Sequence, residues 1–120
     1  METKITIPGR IPSKKNSKRV FCQNGRPIVL PSESHESWEK EAGKSLGGMK
    51  LFLNPSLIEI IFFWPDLREA DLSNKAESIM DLLVKGGVLI DDSWKVVPEL
   101  ILKSAGLDRK NPRAEVTIKN

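Results

Sequence analysis

Residues 56–92 read SLIEIIFFWPDLREADLSNKAESIMDLLVKGGVLIDD, and the fold turns on how this stretch is parsed. Ser56 to Trp64 is apolar, with Glu59 as its only charge, and is rich in β-branched and aromatic residues. That content and length predict a central strand, which Pro65 ends. Asp66 to Ala70 is a short polar connection. From Asp71 to Lys85 the period changes: Leu72, Ala76, Ile79 and Leu83 recur at helical spacing. At about 100° per residue, Asp71, Asn74, Glu77, Ser78 and Asp81 fall on the other side. Gly86-Gly87 stops the helix. Val88 to Ile90 then reads as a short strand that delivers the chain to Asp91-Asp92.

On the N-terminal side, Thr3 to Ile7 alternates as a first strand, broken by Pro8 and Pro12, and Ser13 to Lys18 is a polar loop. Arg19 to Cys22 and Arg26 to Leu30 flank Gln23-Asn24-Gly25. Asn-Gly predicts a hairpin because both residues tolerate positive φ. Pro31 to Ser34 offers serine caps for a helix over about 34–46, where Trp38, Ala42 and Leu46 recur every four residues. Gly47-Gly48 ends it. On the C-terminal side, Val96 to Leu102 is a strand candidate edged by Pro98. Leu107 to Pro112 is a basic turn and Ala114 to Ile118 a final strand. The expected fold is a small α+β domain over residues 1–120, with a mixed sheet and two main helices.

Composition narrows the function. A chain of 120 residues can bury a real core, and 39% apolar with 29% charged residues is ordinary globular composition. The longest apolar run, Ile60 to Pro65, is far short of the roughly 20 residues a membrane span needs. The start of the chain lacks a secretory pattern, and the single cysteine, Cys22, allows no internal disulfide. A reducing, cytoplasmic setting is the simplest expectation. One histidine and one cysteine argue against structural zinc. His35 is expected on the surface, in the first turn of its helix, and Cys22 as a small apolar filler in the hairpin. Trp38 and Trp64 are expected in the core or a dimer interface, Phe52, Phe62 and Phe63 in the core, and Trp94 near the acidic residues.

Net charge is +3, but it is unevenly spread. Between Gly9 and Arg26 stand Arg10, Lys14, Lys15, Lys18, Arg19 and Arg26, with no acidic residue. The acids lie elsewhere, among them Asp66, Glu69, Asp71, Glu77, Asp81, Asp91 and Asp92. A basic segment attracts a polyanion, and clustered carboxylates repel one unless they hold a cation. The excursion through helix, glycine turn and short strand can bring Asp92 back beside Asp71, with Glu77 on the same side of the helix. A hard divalent cation suits such oxygen ligands and can activate water against a phosphate. The plainer alternative is that Asp71 caps its helix, Asn74 and Glu77 form a capping-box-like pair, and Asp91-Asp92-Ser93 is an ordinary turn.

Asp71-Leu72-Ser73-Asn74, a helix ending in Gly-Gly-Val-Leu, and the Asp91-Asp92 pair together resemble the RusA family of Holliday-junction resolvases, often encoded by prophages. The opening Ile5-Thr6-Ile7-Pro8, the Pro12-Ser13-Lys14-Lys15-Asn16 loop and the final strand from Arg113 to Ile118 resemble that family too. The resemblance spans nearly the whole chain and is strongest from Asp66 to Val97. It implies a homodimeric endodeoxyribonuclease, dependent on Mg²⁺ with Mn²⁺ as an alternative, that nicks four-way junctions symmetrically in recombination and repair. Asp71 and Asp92 match the family's aspartates and Asn74 its asparagine, with Asp91 beside them. Two positions depart from the pattern: Ser73 replaces the second aspartate of the helix start, and Glu77 stands where the family has a lysine. Lys75 is nearby but faces differently. On this reading Asp71, Asp92 and Glu77 are the catalytic and metal-ligand candidates, Glu77 standing in for the carboxylate lost at Ser73. Lys14, Lys15, Asn16, Lys18 and Arg19 are the DNA-contact candidates. Asp66 and Asp81 are expected to be solvated or structural. The rivals are an impaired RusA-like protein that binds branched DNA without cutting it, and a small domain with no nucleic-acid role.

Overall fold

A computed structural model describes residues 2–13, 18–31 and 33–120. Its elements are β1 (Glu2–Pro8), β2 (Lys18–Gln23), β3 (Arg26–Pro31), α1 (Glu33–Gly43) extended by a single 3₁₀ turn (Lys44–Leu46), β4 (Leu57–Trp64), α2 (Leu72–Lys85), β5 (Leu100–Leu107) and β6 (Arg113–Lys119). The main sheet has the order β1-β6-β4-β5. β6 pairs antiparallel with both β1 and β4, while β4 and β5 run parallel. Parallel neighbours need a crossover of a dozen or more residues, and α2 is that crossover. The result is a small α+β fold with a mixed four-stranded sheet and two helices, as expected.

Alternation along the strands makes one face of the sheet the core face. Ile5 and Ile7 of β1, Ile58, Ile60 and Phe62 of β4, and Ala114, Val116 and Ile118 of β6 are buried there. Ala76, Ile79, Met80, Leu82 and Leu83 of α2 join the same core, with Ala42 and Leu46 at the end of α1. The other face is polar: Lys103 pairs with Glu59 at 3.1 Å across β5 and β4. On that face the Arg113 guanidinium lies 3.7 Å from the ring centre of Phe63. β2 and β3 form a separate two-stranded sheet. Asn24 and Gly25 have φ of 54° and 75°, the left-handed pair that a two-residue hairpin turn requires.

Several expectations need correction. Val88 to Ile90 is not a strand: it makes one bridge, Leu89 to Phe52. The reason is that the Val88 and Leu89 amides turn back to the Leu83 carbonyl, at 2.9 and 3.2 Å, closing the end of α2. Val96 and Val97 are not a strand either. Both amides donate to the Ser93 carbonyl, at 3.0 and 2.8 Å, and β5 starts only after Pro98. It then runs to Leu107, well beyond the expected Leu102, with a bulge at Ala105 that pairs Phe62 with Ser104 and Phe63 with Gly106. As an edge strand it carries exposed polar residues that weaken the apolar signal.

His35 is buried rather than on the surface, because α1 turns it inward beside Trp38. Its Nε2 lies 2.9 Å from Glu39 Oε1, one turn on. Ser78 is buried too, its hydroxyl donating to the Pro12 carbonyl at 2.7 Å. A short hydroxyl fits on the packed side of a helix when a backbone acceptor meets it. Cys22 is exposed rather than a filler, and Trp94 is exposed under the Lys95 ammonium. No helix among the described residues is long and apolar enough to cross a membrane.

Candidate active site

α2 begins with a side-chain cap. Asp71 has extended backbone angles, φ −81° and ψ 114°. Its Oδ1 accepts from the Ser73 amide at 3.0 Å, the Ser73 hydroxyl at 2.7 Å and the Asn74 amide at 3.4 Å. Two of these donors are helix-start amides that otherwise lack partners, and the third is the Ser73 hydroxyl. The capping reading of Asp71 therefore describes its geometry. Ser73 is tied to Asp71 through its own hydroxyl, and Asn74 through its backbone. The capping-box-like pairing of Asn74 with Glu77 is not the arrangement that closes this end.

From that cap, one side of the helix faces β5. Ser73, Ala76, Glu77 and Met80, on successive turns, line a cavity of about 250 Å³ closed by Asp92, Leu100 and Leu102. Asp92, expected beside Asp71, instead lines this cavity with Ser73 and Glu77, and Asp71 is not among its lining residues. Two carboxylates share a concavity whose floor is Met80, Leu100 and Leu102. Asp91 is exposed outside it, its Oδ1 accepting the Asp92 amide at 2.9 Å. Among the described residues, no group of three or more histidine, cysteine, aspartate or glutamate side chains stands close enough to hold a metal ion. Asp81 pairs with Lys85 at 3.0 Å and is structural. Burial opposes the charge on Lys85, but its bonds to Asp81 and Glu39 outweigh that and raise its pKa above the usual lysine value.

Of the basic candidates, Lys14, Lys15 and Asn16 lie outside the described residues. Lys18 and Arg19 are placed as backbone at the start of β2. Lys75 faces away from Glu77, as expected, and its Nζ donates to the Ile11 carbonyl at 2.6 Å. Burial, then the nearby Arg10 charge, lowers its pKa.

Asp66, expected to be solvated or structural, is structural, in a cluster that the sequence reading did not foresee. Arg10 and Asp66 form an ion pair, to which Arg68 adds its guanidinium at 3.3 Å and its backbone amide at 3.0 Å. The Arg10 bond, first, and the Arg68 amide hold the Asp66 carboxyl below the usual range. The partners are 56 residues apart, and no local pattern links them. Comparison of the chain with protein-family models and with curated proteins finds no match.

Proposed function

We propose that this chain is a RusA-like, Mg²⁺-dependent endodeoxyribonuclease that resolves four-way DNA junctions as a homodimer in the cytoplasm. The observation that carries the reading is the shared cavity of Glu77 and Asp92 along the first turns of α2, beside the Asp71–Ser73 cap. It supports a ligand swap, in which Glu77 replaces the carboxylate absent at Ser73. Mg²⁺ is typically held by one or two carboxylates with waters and substrate phosphates completing its shell, so two carboxylates suit it. When bound, the ion supplies charge stabilisation to the phosphate oxygens and a more acidic water.

The chain's own residues supply the rest. Asp71 fixes the first turn of α2 and with it the direction of Glu77. Met80, Leu100 and Leu102 give the cavity an apolar lining beside the two exposed carboxylates. Lys14, Lys15, Asn16, Lys18 and Arg19 are assigned to backbone phosphates, which position a duplex without reading its sequence.

Binding without cutting is the second reading, and one observation favours it. Oδ1 of Asp71 is committed to the cap, which leaves two carboxylates where the family pattern has three aspartates. The test is incubation of purified protein with a labelled four-way junction and with a linear duplex of the same arms, each with Mg²⁺ and with EDTA. Symmetric, Mg²⁺-dependent nicks confined to the junction are expected. Junction retention on a gel without nicks would establish the binding-only reading, and no retention at all would remove both.

A further inference from the structure

On the side of α2 away from Glu77, a concavity of about 180 Å³ opens between the end of β4, the segment after β1 and the first turn of the helix. Its charged lining comprises Arg10, Arg68, Lys75 and Arg113 against Asp66 and Glu69. Four cations converge on two carboxylates. Asp66 is shared by Arg10 and Arg68. Arg113 spends its charge outside the cavity, on Asp108 at 2.8 Å and Glu115 at 2.9 Å. Among the described residues Lys75 meets no carboxylate. Its ammonium has three donors, and one of them goes to the Ile11 carbonyl. With Arg113 set aside, three cations, Arg10, Arg68 and Lys75, face two carboxylates, Asp66 and Glu69, so the part-buried Lys75, which keeps spare donors, is left as the excess positive charge of the concavity.

We propose that this concavity is a phosphate-binding pocket, with Lys75 and Arg10 as the side chains that contact the phosphate oxygens. An ammonium gives a point charge and an arginine fork gives paired donors, a combination suited to a phosphate group. Asp66 then has a defined role: it holds the Arg10 and Arg68 guanidiniums at the rim, so little ordering remains when the phosphate arrives. The chemistry is common to a free phosphate and to a phosphodiester of a nucleic acid backbone. The pocket does not depend on the carboxylate cavity and stands or falls without it.

The test is calorimetric titration of the intact protein with inorganic phosphate, at ionic strength held constant with chloride. Saturable binding is expected. It should weaken at least tenfold in Lys75→Met and in Arg10→Gln, and stay unchanged in Lys103→Met, which removes an equal charge from the open face of the sheet. Arg10 is half exposed, so its variant serves if Lys75→Met does not fold. A second arm measures junction affinity against salt without divalent ions. A slope smaller by about one in the pocket variants identifies a backbone phosphate as the occupant, and an unchanged slope with lost phosphate binding identifies a free phosphate. No saturable binding by the parent, or equal binding by parent, Lys75→Met and Arg10→Gln, overturns the pocket.

Discussion

Asp71 and Asp92 are paired as site candidates in the sequence, yet they do different things in the fold. Asp71 closes a helix, and Asp92 is an exposed carboxylate on a cavity wall. Substitution separates these roles. Asp71→Ala removes three hydrogen bonds from a helix start and should cost about 0.5–2 kcal/mol, read as a lower midpoint in chemical denaturation. Asp92→Asn should leave that midpoint in place and reduce junction cleavage at least a hundredfold, roughly 3 kcal/mol of barrier, with binding retained. Unchanged cleavage in Asp92→Asn would take Asp92 out of the mechanism. Asp66 adds a pH dependence of another kind. Its folded pKa lies below the unfolded value, so its contribution is present above that value and is lost as pH falls through the folded one. Stability should fall below about pH 5, and Asp66→Asn should flatten that decline. An unflattened decline would assign it to other carboxylates.

At the scale of elements, α2 organises everything around it. Its apolar side is the base of the core, one flank carries Ser73 and Glu77, and the other carries Lys75. Ile79 is fully buried at its centre, and Ile79→Ala should cost about 2–5 kcal/mol, the range for emptying a well-packed site. A loss below 1 kcal/mol in thermal or urea unfolding would mean that α2 does not bear on the core as described. The helix, the central strand β4 and the Asn24-Gly25 turn were legible in the sequence because each is set by local pattern: the helical period, a run of β-branched residues, a turn pair. β5 was misread because an edge strand beside a solvated flank needs no apolar continuity. Only its pairing with β4 defines it. The segment from Val88 to Val97 was misread for the opposite reason. It is apolar enough for strands, but its amides return to carbonyls of its own neighbourhood. His35 was misplaced because one polar residue at an inward helical position looks like a surface residue until its neighbour Glu39 is seen to face it. Of the site, the side of α2 that carries Glu77 could be read from the helical period. Asp92, expected beside Asp71, lies in the cavity with Glu77 because the return after α2 is set by backbone bonds rather than by a strand. The Arg10–Asp66–Arg68 cluster could not, since it joins segments far apart in the chain.

The whole molecule bears on the proposed reaction through symmetry. A four-way junction has approximate two-fold symmetry, and its resolution takes two matched nicks. One chain contains one Glu77–Asp92 cavity, so matched nicks require two chains related by a two-fold axis. This gives a prediction that cleavage by a monomer does not share. Parent protein mixed and re-equilibrated with an excess of Asp92→Asn should form dimers with one competent cavity. Such dimers should leave junctions nicked on one strand, and the ratio of singly nicked to resolved product should rise with the fraction of variant. If each chain instead acts alone, the variant merely dilutes the parent. Nicked junctions would then go on to resolution in the usual proportion, only more slowly. Gel separation of nicked and resolved products over a mixing series reads the difference directly, and a ratio independent of the mixing fraction excludes the paired arrangement.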